Sequence, residues 1–342
     1  MRMKAAVLKA PYQMSIEEVV VPEPKADEVL VRVRASAVCG SDLKAYEGKH
    51  PLIRPPIILG HEFSGVAAAV GSDVRHIREG DWVVVEPSSV CGRCFFCRRR
   101  QFSLCESIEQ LGHQLPGSFA EYTLAKARFT YPLPEGVSFE RASLTQPLAI
   151  SLHAVDRAGI GPGASVVILG MGAIGLLLLQ IARMRGAEVL ATDVVDSRLK
   201  KALALGAGRA ENGAAPDLLK RIRDWSGGMG PDIVIEAAGT SATVRQAFSA
   251  VRRAGTVLLL GITGHDHEEV DLGRVTLEEL SLLGTMRYGE GDFPRAIDLI
   301  RRGEIDLDTL ILKRFPLEET PEVLAESLRS PDSVLRSVMV MK

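Results

Sequence analysis

One stretch constrains this chain more than any other. It reads S-V-V-I-L-G-M-G-A-I-G over 165–175, then a helix-like run, then E-V-L-A-T-D ending at Asp193. The run 165–169 has the apolar, β-branched character of a buried strand, 173–185 that of a helix, and 188–192 that of the next strand. Gly170, Gly172 and Gly175 stand in the spacing G-x-G-x-x-G where the strand turns into the helix. Gly170 permits the tight turn, Gly172 lets backbone approach a pyrophosphate, and Gly175 lets helix and strand pack closely. Ala173 and Ile174 place free N–H groups and partial positive charge in the first turn, which suits phosphate. Asp193 can accept hydrogen bonds from both ribose hydroxyls and would repel a 2′-phosphate, which favours NAD over NADP. Arg198 pulls the other way, because a guanidinium can pair a 2′-phosphate or lie over the adenine. The plain alternative is a glycine-rich turn with no ligand; a strand before, a helix after and an acid at the next strand end weigh against it.

Strand and helix continue to alternate from Gly159 onward, with further apolar strands over 231–239 and 256–261. In open α/β sheets ligands bind beyond the carboxyl ends of strands. That rule nominates Ala238, Gly261 and Ile262 for the adenosine and nicotinamide halves of a dinucleotide. The N-terminal part reads differently. Short strands over 4–8, 15–21 and 28–36 are separated by proline and polar turns, and Val29, Val31, Val33 and Ala35 alternate with Arg32 and Arg34. At 342 residues the chain suggests two domains, one β-rich and one α/β. A net charge of −2 offers nothing to nucleic acid or an anionic membrane surface, and no apolar run reaches transmembrane length. The N-terminus runs into a strand pattern without a signal-peptide core, so the expected location is cytoplasmic.

Five cysteines, four of them clustered, suit metal binding better than disulfides. Cys91, Cys94, Cys97 and Cys105 form C-x2-C-x2-C-x7-C, and four thiolates can close a tetrahedral shell around a structural zinc. Arg98, Arg99 and Arg100 beside them read as solvated residues that offset thiolate charge. Cys39, in A-V-C-G-S-D-L-K, and His61 with Glu62, in L-G-H-E-F-S-G, offer thiolate, imidazole and carboxylate. Three protein ligands leave a fourth position for water or substrate, as in catalytic zinc sites. Neighbouring residues of a strand face opposite ways. His61 and Glu62 therefore meet one ion only if the chain turns there, as Gly60 permits; otherwise Glu62 stands behind the ligands.

C-G-S-D, G-H-E-x-x-G and the later G-x-G-x-x-G, in that order, resemble the zinc-dependent medium-chain dehydrogenase/reductase superfamily over essentially the whole chain. The resemblance implies a chaperonin-10-like catalytic domain over 1–152, with 288–342 returning to it, and a doubly wound Rossmann domain over 153–287. It implies a site in the cleft between them and two zincs per chain, one catalytic and one structural. The implied chemistry is transfer of a hydride between a secondary alcohol and NAD. Ser41 matches the family's relay hydroxyl, and Lys44 stands where many relatives carry a relay histidine; His50 is a further candidate. Gln146 stands where many relatives carry an acid or cysteine at the zinc, so Gln146 is expected on water or substrate. Met286-Arg287-Tyr288 resembles the segment whose arginine binds substrate hydroxyls in polyol dehydrogenases such as sorbitol and xylitol dehydrogenase. Tyr46 is expected at the mouth of the site, and His113 near the cleft or in an exposed loop. Partners are a small-molecule alcohol and a homotetramer, with a dimer as runner-up. Three other readings stay open: a substrate such as L-threonine, an aminocyclitol or a sugar acid; a zinc-free quinone or enone reductase; and a non-catalytic NAD-binding zinc scaffold or sensor.

Overall fold

The computed structural model describes residues 1–262, 268–330 and 335–342. The chain forms two compact units, Met1–Gln146 with Gly289–Lys342, and Pro147–Tyr288. The division falls inside the helix Thr145–Arg157 rather than at 152, and Tyr288 goes with the second unit.

The first unit is built on β structure. Its largest sheet runs in the order Thr130–Pro132, Trp82–Val85, Glu62–Val70, Glu28–Ala37, Arg336–Val340, Ile311–Phe315, and Tyr122–Lys126 also pairs with Glu28–Ala37. The expected alternation holds in the central strand: Val29, Val31, Val33 and Ala35 are fully buried while Arg32 is exposed. Those valines join Leu8, Phe63, Phe119 and Met339 in the unit's core. Register is what matters for function. Ala37 lies opposite Glu62 on one side and Val338 on the other. The end of one strand therefore meets the start of a second and the middle of a third, which lies far off in sequence, and Cys39 follows two residues on.

The second unit is a six-stranded parallel sheet. Its order is Arg209–Asn212, Glu188–Asp193, Ser165–Leu169, Ile233–Glu236, Thr256–Leu259, Ser281–Gly284. The chain starts in the middle, winds one way, then crosses back, so the switch point lies beside Ser165–Leu169. Leu169 pairs with Thr192 and with Glu236. The strand ends that flank the switch point are therefore those of Asp193, Gly170 and Ala238. Val167, Leu169, Leu190, Val234 and Val257 fill the core. The helix Ala173–Met184 buries nearly its whole length, as its apolar sequence requires. No helix among the described residues is long and apolar enough to cross a membrane.

Candidate active site

Cys39 leaves the central strand of the first unit and caps the helix Gly40–Tyr46. Its N–H donates to Asp42 Oδ2 at 2.9 Å, and Gly60 N–H donates to Asp42 Oδ1 at 3.2 Å. One fully buried carboxylate thus ties together the two segments that carry Cys39 and His61. His61 Nδ1 lies 3.6 Å from the same Oδ1. Gly60 has φ +90°, and a Cβ there would sit 2.8 Å from Ser118 Oγ, so the turn before His61 needs glycine. The regular strand begins only at Glu62. His61 escapes the alternation rule, and one ligand atom each from Cys39, His61 and Glu62 falls within 4.8 Å of the others.

Glu62 Oε1 accepts from Arg336 Nη2 at 3.0 Å, and Arg336 Nη1 donates to the Val38 carbonyl at 2.9 Å. Glu62 Oε2 is buried and accepts no hydrogen bond from a donor among the described residues. A buried carboxylate oxygen without a donor is costly, and a cation among the three side chains supplies what it lacks. Burial pushes the Cys39 thiol up, but the His61 hydrogen bond and charge, with Arg336 behind, bring it down to about 5. Burial opposes a charged His61, yet Asp42 and Cys39 hold its pKa well above the usual histidine range. Burial drives Glu62 well above the usual carboxyl range against the pull of Arg336. Thiolate, imidazole and carboxylate suit zinc, so the residues present fit the metal. Asp42 and Arg336 were not read from the sequence as site residues. Asp42 was in view, inside C-G-S-D, but an acid in a helix's first turn is ordinary.

Ser41 Oγ, two residues past Cys39, is buried without a hydrogen-bond partner among the described residues. Lys44 is half-buried on the same short helix. Gln146 is buried in the first turn of Thr145–Arg157. Arg287 is half-buried with φ +57°, a left-handed conformation rare for a bulky residue. Tyr46 is a correction. It is buried in the core of the first unit, edge-on to Tyr12, and its hydroxyl donates to the Tyr12 carbonyl at 3.3 Å. Its position on the inner face of Gly40–Tyr46 makes it packing rather than part of a mouth.

Cys91, Cys94, Cys97 and Cys105 also place their sulfurs within 4.8 Å of one another. Cys91 N–H donates to Cys105 Sγ at 3.3 Å and Cys97 N–H to Cys94 Sγ at 3.4 Å. Backbone N–H groups of Glu106 and Cys97 bring the Cys94 thiol down to about 6, whereas burial and the neighbouring sulfurs push Cys97 up to about 12. Of the three arginines, Arg99 lies 3.7 Å over the Phe95 ring, Arg100 pairs with Glu290, and Arg98 donates to the Arg93 carbonyl.

In the second unit a Cβ on Gly175 would lie 1.9 Å from the Gly170 carbonyl oxygen, while one on Gly172 would meet nothing within 4 Å. The first glycine is needed for packing; the second leaves open space at the helix N-terminus. Gly170 has φ +104°. Asp193 is buried, its Oδ2 accepting from Met171 N–H at 2.7 Å and its Oδ1 from Val195 N–H at 2.9 Å. Arg198 Nη1 lies 3.6 Å from the same carboxylate. At the next strand end, Ala238 and Gly239 give their N–H groups to Glu236 Oε1 at 2.9 and 2.7 Å. A Cβ on Gly261 would lie 2.3 Å from Gly239 N, and Ile262 is 52% exposed.

Residues 25–135 match the alcohol dehydrogenase GroES-like domain family, and residues 173–302 the zinc-binding dehydrogenase family. The chain is 33% identical to sorbitol dehydrogenase of Bacillus subtilis over 99% of its length and 97% of that protein's. It is 34% identical to D-arabitol-phosphate dehydrogenase of Enterococcus avium over 94% and 93%. A crystal structure of a zinc-binding dehydrogenase from Sinorhizobium meliloti 1021, bound to NADP, superimposes with a TM-score of 0.93 at 32% identity, covering all of both chains.

Proposed function

The chain belongs to the zinc-dependent medium-chain dehydrogenase/reductase superfamily, in its polyol dehydrogenase-like branch, and we propose that it oxidises a polyol, sugar alcohol or cyclitol to a ketone with NAD. The observation that carries this reading is the buried set of Cys39, His61 and Glu62 with one carboxylate oxygen unpartnered. A zinc held by these three would polarise the substrate oxygen, and the nicotinamide of NAD would take the hydride. The chain's own residues do the rest. Asp42 and Arg336 hold the ligands in place, and His61 and Arg336 keep Cys39 a thiolate against burial and the Asp42 charge. Ser41, with its buried hydroxyl, takes the alcohol proton and passes it outward, and Lys44 stands three residues further along that helix. Gln146 hydrogen-bonds water or substrate, and Arg287 binds substrate hydroxyls through its planar fork of donors.

In the second unit, Gly170, Gly172 and Gly175, with Ala173 and Ile174, cradle the pyrophosphate. Asp193 takes the ribose hydroxyls and, with Arg198 drawn to it, selects NAD. Ala238, Gly261 and Ile262 line the path of the dinucleotide. A second, structural zinc belongs to Cys91, Cys94, Cys97 and Cys105. The strand Ser281–Gly284 is an edge with Leu282 45% exposed, a surface that favours assembly of copies into the expected homotetramer. Cysteines gathered as metal ligands rather than disulfides accord with a cytoplasmic location. Lys44, a cation where relatives carry histidine, favours a sugar acid as the second substrate class.

The test is NAD+ reduction at mildly alkaline pH across sorbitol, xylitol, inositols, aminocyclitols, threonine and sugar acids, repeated with Arg287→Ala. A polyol should turn over best, and R287A should raise its KM at least 10-fold. A clear preference for threonine or a sugar acid would overturn the substrate class. No turnover in a protein that binds NAD and holds zinc would favour the scaffold reading.

A further inference from the structure

Three histidines from separate segments stack in a row that ends on the metal set. His61, His113 and His50 are all at least nine-tenths buried. The His61 and His113 ring centroids are 5.1 Å apart at 79°, and those of His113 and His50 4.9 Å apart at 68°. Both pairs are edge-to-face, the arrangement aromatic rings prefer. The far end is anchored, since His50 Nδ1 accepts the Leu52 N–H at 3.2 Å. The middle ring is held by its own loop: His113 Nε2 is 3.3 Å from Gln110 Nε2, and His113 N–H donates to the Gln110 carbonyl at 3.1 Å.

That loop is locked to the backbone that carries His61. Gly117 N–H donates to Ile58, Ser118 N–H to Gly60 and Phe119 N–H to Leu59. A Cβ on Gly112 would come within 2.6 Å of the Gly60 carbonyl oxygen, and one on Gly117 within 2.2 Å. The loop therefore has no slack against Gly60, and His113 has a fixed place against His61. Asp42 at 3.6 Å and the hydrogen bond with Cys39 constrain the edges of the His61 ring, and the tilt of its plane is left to what packs against it.

We propose that His113, backed by His50, is a positioning residue that fixes the ring plane of His61 as a metal ligand. It acts by packing, through the shape of an aromatic ring. The proposal rests on the reading of Cys39, His61 and Glu62 as a metal set. Partners outside the ligand shell of metal sites are typically worth about 10–100-fold in metal affinity.

The experiment measures zinc release to a chelator, and the visible spectrum of the cobalt-exchanged protein, for wild type, His113→Ala, His113→Phe and His113→Leu. Wild type should hold two metals per chain. H113A should release one of them at least 10-fold faster, keep the other, and show altered cobalt bands. H113F should restore both the rate and the spectrum. Wild-type release from H113A overturns the proposal. So does H113F behaving like H113A, since ring shape would then not be what counts. Should H113A fail to fold, H113F against H113L decides: fast release from leucine alone supports the proposal, equal rates overturn it. A wild type that holds only one metal refutes the metal set itself, a result distinct from either.

Discussion

Replacing Arg336 with methionine isolates the buried charge behind the metal set. Arg336 and Glu62 are both almost wholly removed from solvent, and the pair is 3.0 Å apart. Methionine keeps much of the apolar stem but leaves the Glu62 carboxylate without a countercharge and the Val38 carbonyl without its donor at 2.9 Å. Breaking a buried pair from one side costs about 3–5 kcal/mol, because the remaining charge is stranded. Glu62 already lies well above the usual carboxyl range; with Arg336 gone it takes a proton, which places the expected cost at about 3 kcal/mol. A protonated carboxyl is also a poor ligand, so zinc affinity should fall with stability. Removing both charges together in Glu62→Gln/Arg336→Met strands no charge, though the Val38 carbonyl still lacks its donor, and the double variant should be more stable than R336M by about 2 kcal/mol. The assay is denaturant unfolding of the metal-free protein in a Trp225→Phe background. Trp82 is then the remaining tryptophan, and it lies in the same unit as the pair. A loss in R336M below about 1 kcal/mol, or a cycle without coupling, would refute the reasoning.

Gly172→Ala should leave the fold intact and weaken dinucleotide binding more than 10-fold by calorimetry, whereas Gly175→Ala, facing the Gly170 carbonyl at 1.9 Å, should lower the melting temperature of the second unit; equal melting temperatures would contradict the packing argument. Asp193→Ser removes the carboxylate 3.6 Å from Arg198 and should shift the kcat/KM ratio of NADP to NAD at least 10-fold toward NADP; an unchanged ratio would show that Asp193 does not select the cofactor. Burial raises Glu86 to about 7 despite the hydrogen bond from Tyr131. The fold therefore holds this proton where the unfolded chain releases it, so stability falls as pH rises from the ordinary carboxyl range through about 7. Glu86→Gln should be more stable than wild type at pH 8, by at most about 3 kcal/mol, and similar to it at pH 5; the opposite ordering at pH 8 would reverse the sign of the argument.

What was legible in the sequence was local. The stretch from Ser165 to Asp193 places strand, turn, helix and acid in one contiguous run, and the four clustered cysteines lie in one short loop. Cys39 and His61 were visible through residue chemistry set beside a nucleotide-binding pattern. Arg336 was not, because it is 274 residues from Glu62 and reaches it only through the pairing of Ala37 with Glu62 and with Val338. No periodicity reports such a register. Asp42 looks like any acid in a helix's first turn until burial and its two N–H donors are known. Tyr46 misled because a seven-residue helix is too short for its sequence to say which side faces the core. The strand Ser281–Gly284 escaped notice because it is short and mostly exposed.

The central claim is that Cys39, His61 and Glu62 hold a zinc on which turnover depends, apart from a second zinc held by four cysteines. Metal content per chain, measured on wild type and Cys39→Ala beside NAD+ reduction with the best polyol, tests it most directly. The account predicts two zincs in wild type, one in C39A with the fold retained, and loss of turnover in C39A. Two zincs in C39A, or turnover equal to wild type, would contradict it.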